Sequence, residues 1–297
     1  MRMATILDLI GNTPQVEINR VIPHPRAKFF GKLEGDNPGG SVKDRAAYGM
    51  IKGALDRGEL RPGIRLIEAT SGNTGISLAM IAAYFGIPIT LVMPDNSTRE
   101  RIDTMKAFGA EVLLTPAERA IEYSKEYAEE FVAHGGYFML NQFANPDNCE
   151  MHYRSTGPEI WKDSGGRITH FVSSMGTTGT IMGVSRFLKE QNPEIKVIGV
   201  QPVEGDNIPG MRRWSPAFLP KIYDPGRVDR IIEVSRAEAS FMARRLAREE
   251  SIFAGMSSGG AVAACAKLAM EISNGLVVCI LCDRGAYYLS SDLFGVG

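Results

Sequence analysis

The sequence is poor in the residues that hold small secreted or metal-bound proteins together. It has four cysteines in 297 residues, at positions 149, 265, 279 and 282. These are too few for a disulfide framework in a chain of this length, so a reducing compartment is expected. Cys279 and Cys282 form a Cys-x-x-Cys, but it lies in the apolar run Leu276–Cys282, opens no helix and is followed by no second ligand pair. Neither zinc nor thiol-exchange chemistry is expected of it. The four histidines (24, 134, 152, 170) show no metal spacing, and no metal site is expected. An excess of one charge is missing too: 33 Lys and Arg stand against 34 Asp and Glu, leaving a net charge of -1. This offers nucleic acid or an anionic membrane no handle. No uninterrupted apolar segment precedes a cleavage-like site in the opening residues, so a cytoplasmic protein is expected. Ala69–Pro94 lacks charged side chains and meets the length of a membrane span, ~20 residues. Its Gly72, Asn73, Thr74, Gly75, Gly86 and Pro88 divide it instead into loop, helix, turn and strand.

What is present is an alternation of short β-rich runs and amphipathic helical segments. Ile64–Ala69, Ile89–Met93, Glu111–Leu114, Thr169–Ser173, Lys196–Gln201 and Leu276–Cys282 read as strands. Ile76–Phe85, Arg99–Phe108, Ala117–His134, Thr180–Glu190, Arg236–Glu250 and Gly260–Ile272 read as helices. The fold class is therefore α/β, with parallel sheets flanked by helices. The length exceeds the ~100–200 residues of one domain, so two lobes with a cleft are expected. The turn formers Asn145–Asn148, after the strand-like Tyr137–Leu140, suggest lobes at 1–146 and 147–297, with the opening stretch, up to about residue 35, able to pack on the second lobe. Gly205–Arg227 carries four prolines and reads as a long functional loop.

The strongest local feature is Pro38-Gly39-Gly40-Ser41-Val42-Lys43-Asp44-Arg45. Ser41 and Asp44 are spaced as an N-terminal capping pair for a helix through Ala46–Leu55, which puts Lys43 in its first turn. The positive end of the helix dipole is a poor place for a cation, and the neutral amine is the form that condenses with an aldehyde. Two further loops stand where strands hand over to helices. Thr70-Ser71-Gly72-Asn73-Thr74-Gly75 offers backbone N–H groups, hydroxyls and an amide suited to a carboxylate. Gly176-Thr177-Thr178-Gly179-Thr180 offers close backbone approach and hydroxyl donors suited to one phosphate. It is neither a Walker loop nor a dinucleotide fingerprint, so a monophosphate cofactor is favoured over a nucleotide. Gly255-Met256-Ser257-Ser258-Gly259-Gly260 could place a neutral hydroxyl beside a ring nitrogen, a choice that suits elimination at Cβ better than transamination.

These segments, together with Gly11-Asn12-Thr13-Pro14 and Lys32-Leu33-Glu34, occur in the order that resembles the cysteine synthases, or O-acetylserine sulfhydrylases, from about residue 6 onward. Ser174–Gly179, Pro209-Gly210-Met211-Arg212-Arg213-Trp214 and Cys282-Asp283-Arg284-Gly285 make the chain most similar to the B isozyme. The resemblance implies the two-domain pyridoxal-phosphate (PLP) fold of the tryptophan-synthase-β type (fold type II) and a homodimer. It implies Lys43 as Schiff-base lysine and Asn73 as partner of the ring hydroxyl. Gly176, Thr177, Thr178, Gly179 and Thr180 become the phosphate cup, and Ser257 the ring-nitrogen partner. Thr70, Ser71, Thr74 and Gln142 become the holders of the substrate carboxylate. The implied reaction makes L-cysteine from O-acetyl-L-serine and sulfide through an α-aminoacrylate, with freed Lys43 as α-proton base. Arg212, ahead of Arg213, is the candidate for meeting thiosulfate, which would give S-sulfocysteine. One departure stands out: Ser97-Thr98 occupies the place where the B-type pattern has Met-Ser. The rivals are an O-phosphoserine-dependent synthase, another β-elimination or replacement enzyme of the same fold, and a non-catalytic binder of phosphate ligands.

Overall fold

The computed structural model describes residues 4–70 and 72–295. Two strands, β1 (Gln15–Glu17) and β2 (Ala27–Leu33), lead into α1 (Lys43–Asp56). Then come β3 (Arg65–Ala69), α2 (Asn73–Phe85), β4 (Ile89–Pro94), α3 (Arg99–Ala107), β5 (Glu111–Thr115), α4 (Ala120–His134) and β6 (Tyr137–Met139). Two short helices, α5 (Pro146–Met151) and α6 (Gly157–Asp163), flank a π-helical turn at His152–Thr156. The remainder is β7 (His170–Ser174), α7 (Gly179–Gln191), β8 (Lys196–Pro202), β9 (Arg230–Val234), α8 (Arg236–Glu249), α9 (Met256–Ala269) and β10 (Gly275–Leu281).

The strands form two sheets, one ordered β5-β4-β3-β6 and the other β1-β2-β10-β7-β8-β9. All neighbours are parallel except β1 with β2. Parallel neighbours need a crossover, and the helices between strands supply it while covering both faces. Burial on both faces explains the uninterrupted apolar runs: β4 is buried at every position, and along β10 Val277, Cys279 and Leu281 face one core while Val278 and Ile280 face another. The first core includes Val262 of α9 and Ala243 of α8, and the second includes Val184 of α7 and Ile160 of α6. The four-stranded sheet has its own core, where Leu66 and Leu91 pack with Met50 of α1 and Leu78 of α2. Buried from Thr74 to Ala82, α2 is apolar nearly all round.

The six predicted strands and six predicted helices are all present, with ends shifted by physical causes. The first turns of α2 and α9 lie upstream of their apolar runs, so Asn73 and Ser257 belong to helices rather than to the loops before them. The segment predicted as one helix from Ala117 begins as a 3-10 turn, Ala117–Arg119, before α4. The expected Ser41/Asp44 capping pair is not formed. The backbone is already helical at Val42, the Asp44 carboxylate accepts instead from Gly39 N–H (2.5 Å) and the Ser77 hydroxyl (2.5 Å), and Ser41 Oγ accepts from Lys43 N–H (3.2 Å). Among the described residues no helix is long and apolar enough to cross a membrane, no cluster of His, Cys, Asp or Glu is placed to hold a metal, and the four cysteines are free.

Candidate active site

Strands of a parallel sheet deliver their loops to one edge, and three such loops meet here: β3 into residues 70–74, β7 into 176–180, and β10 into 282–284. Lys43 stands between them because its helix is tied from both sides. Val42 N–H donates to Cys282 O (2.8 Å), Arg284 N–H donates to Gly40 O, and the Tyr287 hydroxyl donates to Gly39 O (2.7 Å). Gly40 has φ +82, and a Cβ there would stand 2.5 Å from the Tyr287 oxygen, so glycine is required. Two residues past Lys43, Arg45 is wholly buried and forks between Glu34 (2.7 and 2.8 Å) and Glu159 (2.7 Å to each oxygen). Burial works against both carboxylates, yet the guanidinium holds Glu34 below its ordinary value and Glu159 at about 2. Burial pushes the Asp44 carboxyl up to about 6, against its two hydrogen bonds.

A cavity of about 190 Å³ opens over Lys43. Thr70, Asn73, Thr74, Gln142, Gly176, Thr177, Thr178, Thr180, Arg212 and Ser257 also line it, so sequence reasoning placed its residues in one site. Ser71 lies outside the described residues. Gly179 does not line the cavity; it opens α7, and a side chain there would collide with Asn148. Arg213 stays outside as well, paired with Glu233.

Hydrogen bonds join the loops. Thr74 Oγ1 donates to Gln142 Oε1 (2.9 Å), and Gln142 O accepts from Asn148, whose same amide donates to Thr177 Oγ1 (3.2 Å). Behind Gln142, the buried Glu68 carboxylate accepts from Asn141 and Gln142 N–H, while burial pushes it up to about 7. Thr180 Oγ1 meets His152 Nε2 (3.2 Å), and His152 Nδ1 meets the Thr156 hydroxyl (2.8 Å). Burial, with the charges of Arg45 and Lys43, pushes His152 down to about 3. Ser257 is fixed by Ser174 Oγ, which donates to its carbonyl (2.8 Å), and burial pushes the neighbouring Cys282 thiol up to about 12. Trp214 Nε1 donates to Gly176 O (2.9 Å), and Arg212 lies 5.4 Å from the Trp214 ring centre.

Sequence reasoning missed four contributors. Arg101 and Tyr288 line the cavity, Asp283 accepts from Asn73, and His152 backs Thr180. Asp283 sat in a segment already marked by resemblance, and Arg101 lies just past the divergent Ser97-Thr98; the other two carried no local signal.

The residues fit a phosphate-bearing aromatic aldehyde. Thr178 Oγ1, beside the start of α7, and Asn73 Oδ1, at the start of α2, are buried without hydrogen-bond partners. Buried polar atoms are ordinarily paired, so both point to a ligand. They share the cavity wall with the Lys43 amine and the neutral Ser257 hydroxyl.

Comparison with known proteins agrees with this geometry. The family model described as "Pyridoxal-phosphate dependent enzyme" matches residues 6–283. The chain is 57% identical to cysteine synthase B of Pseudomonas aeruginosa over 98% of its own length and 97% of that protein. It is 52% identical to cysteine synthase B of Escherichia coli over 99% and 97%. Its fold superposes on the crystal structure of an Entamoeba histolytica cysteine synthase with a TM-score of 0.94 at 39% identity, covering 100% of this chain and 92% of the other.

Proposed function

The chain belongs to the pyridoxal-phosphate dependent enzymes, as a cysteine synthase of the B type, and on that basis we propose that it makes L-cysteine from O-acetyl-L-serine and sulfide, and S-sulfocysteine from thiosulfate. The observation that supports this most is the convergence on one cavity of Lys43, Asn73, Thr74, Thr177, Thr178 and Ser257.

Gly176, Thr177, Thr178 and Thr180 would hold the cofactor's phosphate at the start of α7, which Gly179 opens by its close approach to Asn148, Asn73 would hold its ring hydroxyl, Ser257 its ring nitrogen, and Lys43 its aldehyde. Bound there, PLP supplies an aldehyde that captures the substrate amine and a conjugated ring that takes up the electrons released at Cα. Thr70, Thr74 and Gln142, with Ser71 from the same loop, hold the substrate carboxylate. Lys43 Nζ, as a neutral amine, takes the proton from Cα and returns it there once the C–S bond has formed. The neutral Ser257 hydroxyl would offer the ring nitrogen no proton donor of carboxyl strength and so would temper the electron sink, which suits loss of a group from Cβ. The C–O bond at Cβ breaks with its electrons leaving on acetate, and sulfur forms the new C–S bond. The balance is O-acetylserine and hydrosulfide to cysteine and acetate. Arg212 receives the second substrate when that is an oxyanion.

The working unit is proposed to be a cytoplasmic homodimer. Product analysis with O-acetylserine and O-phosphoserine at equal sulfide tests the donor: cysteine from the acetyl ester at the higher kcat/KM is expected. A preference for the phosphate ester would move the chain to the phosphoserine-dependent synthases. A protein that takes up PLP but forms no cysteine from either donor would leave another β-elimination or replacement on the same fold, or ligand binding alone.

A further inference from the structure

The cavity over Lys43 leads into a second, outer cavity of about 810 Å³. Arg101, Ile121, Pro209, Gly210, Met211 and Arg212 line both and so form the throat between them. Two of these are cations, and they come from opposite sides. Arg101 sits in the first turn of α3, beside the four-stranded sheet, and Arg212 in the loop that follows β8 of the six-stranded sheet.

Their surroundings differ. Arg212 lies 3.5 Å from Glu122 and stacks near Trp214, so part of its charge is already met. Arg101 has no ion-pair partner among the described residues. Its guanidinium carbon stands 5.2 Å from the Tyr288 ring centre, and its Nε is buried with no hydrogen-bond acceptor. One turn earlier, Thr98 is the N-cap of α3 but its hydroxyl makes no capping bond; Oγ1 is buried and unpartnered, and Thr98 lines the outer cavity. Arg101 and Thr98 belong to one cavity wall and each carries a donor that nothing in the protein meets, a pairing that suits a planar or tetrahedral oxyanion. Hydrosulfide, a single sulfur with no oxygen atoms, can meet one donor but cannot span the fork as an oxyanion does.

We infer that Arg101, with Thr98 beside it and Arg212 across the throat, binds the oxyanion end of an anionic sulfur donor and sets the preference for such donors over sulfide. This rests on the β-replacement reading above and names a specificity-determining residue for it.

The test compares wild type with Arg101→Met, which keeps an unbranched chain against Tyr288 without the charge, and Arg101→Lys, which keeps the charge without the fork. At fixed O-acetylserine, the ratio of kcat/KM for thiosulfate to that for sulfide is expected to fall at least tenfold in Arg101→Met and by less in Arg101→Lys. Independently of turnover, radiolabelled sulfate is expected to bind the PLP-loaded wild type in equilibrium dialysis and to lose at least tenfold in affinity in Arg101→Met. An unchanged ratio, or sulfate binding that ignores the substitution, overturns the inference. If wild type uses sulfide but neither uses thiosulfate nor binds sulfate, the inference falls and cysteine synthesis stands. If wild type uses neither sulfur donor, the underlying reading has failed instead.

Discussion

Asn73 donates its side-chain amide to the Asp283 carboxylate at 2.7 Å, and that bond fixes which end of the amide is left unpaired in the site. The same carboxylate oxygen accepts from the Tyr288 hydroxyl at 2.7 Å, and burial raises the Asp283 carboxyl above its ordinary value. A loop that follows β10 thus orients a side chain on α2, across the two sheets.

Asp283→Ala leaves two buried donors without an acceptor, each costing about 1–3 kcal/mol. A lower urea midpoint and weaker retention of PLP after desalting are expected, with Asp283→Asn recovering part of the stability. A variant as stable as wild type, holding PLP equally well, would remove Asp283 from this role.

Lys43→Ala removes the amine proposed both to hold the cofactor and to take the α-proton. Turnover should drop by at least the 10²–10⁴-fold that a general base contributes. The phosphate loop and Asn73 remain, so PLP should still co-elute with the variant, more weakly held. Retained turnover near the wild-type rate would sink the assignment.

Arg45 meets both the Glu34 and the Glu159 carboxylates, beside the Thr13 and Asn37 donors on Glu34 and the Lys32 amine on Glu159. Breaking a buried ion pair from one side costs about 3–5 kcal/mol, and Arg45→Ala is expected to lose at least that in chemical denaturation. The pH dependence follows from Glu159, whose folded value is depressed to about 2. Its stabilisation is fully present above the ordinary carboxylate range and is lost as pH falls toward 2, because the unfolded chain binds the proton first. Wild type should therefore lose stability between about pH 4.5 and 2 more steeply than Glu159→Gln.

The paired arginines of the 209–214 segment should behave differently. Arg212 lines the inner cavity, whereas Arg213 is paired with Glu233 and reaches only the outer one. Arg212→Ala should lower the thiosulfate-to-sulfide ratio of kcat/KM at least tenfold, and Arg213→Ala should lower it by less than threefold. Equal effects from the two would show that the throat does not discriminate between them.

His152 should be neutral throughout the physiological range. Burial and the Arg45 charge hold it at about 3, so its ring resonances should not titrate between pH 5 and 8 in NMR spectra, unlike those of an exposed histidine. A midpoint near 6.5 would mean that the Thr156–His152–Thr180 chain opens to water in solution.

Most of the fold was legible because its central strands are buried on both faces and are written as unbroken apolar runs, such as Ile89–Pro94 and Gly275–Leu281. Strand β2 was not, because Lys28, Gly31 and Lys32 interrupt it. Lys32 is buried because the Thr13 carbonyl and the carboxylates of Glu159 and Asp163, the latter 131 residues away, meet its amine. The loops of the site were legible for a local reason: glycines and hydroxyls at a strand-to-helix turn carry their meaning within five or six residues. Asp44 shows the limit of local reasoning, since its spacing matched a capping pair and tertiary packing gave it Ser77 instead. Arg101 and Asp283 acquire their roles from contacts across the two sheets, which no spacing records.

The pairing of β2 with β10 sets the order in which this molecule can be completed. Seven residues of β2, from Ala27 to Leu33, find their inner neighbour in Gly275–Leu281, so that side of the strand stays unsatisfied until the last strand has left the ribosome. At about 5–20 residues per second this leaves a long exposure, on the order of 10–50 s, during which an apolar strand edge is open to wrong partners. The start of α1 that carries Lys43 follows β2, and the 282–284 loop that ties it down follows β10, so a nascent chain can fold its four-stranded sheet early and still hold no catalytic centre.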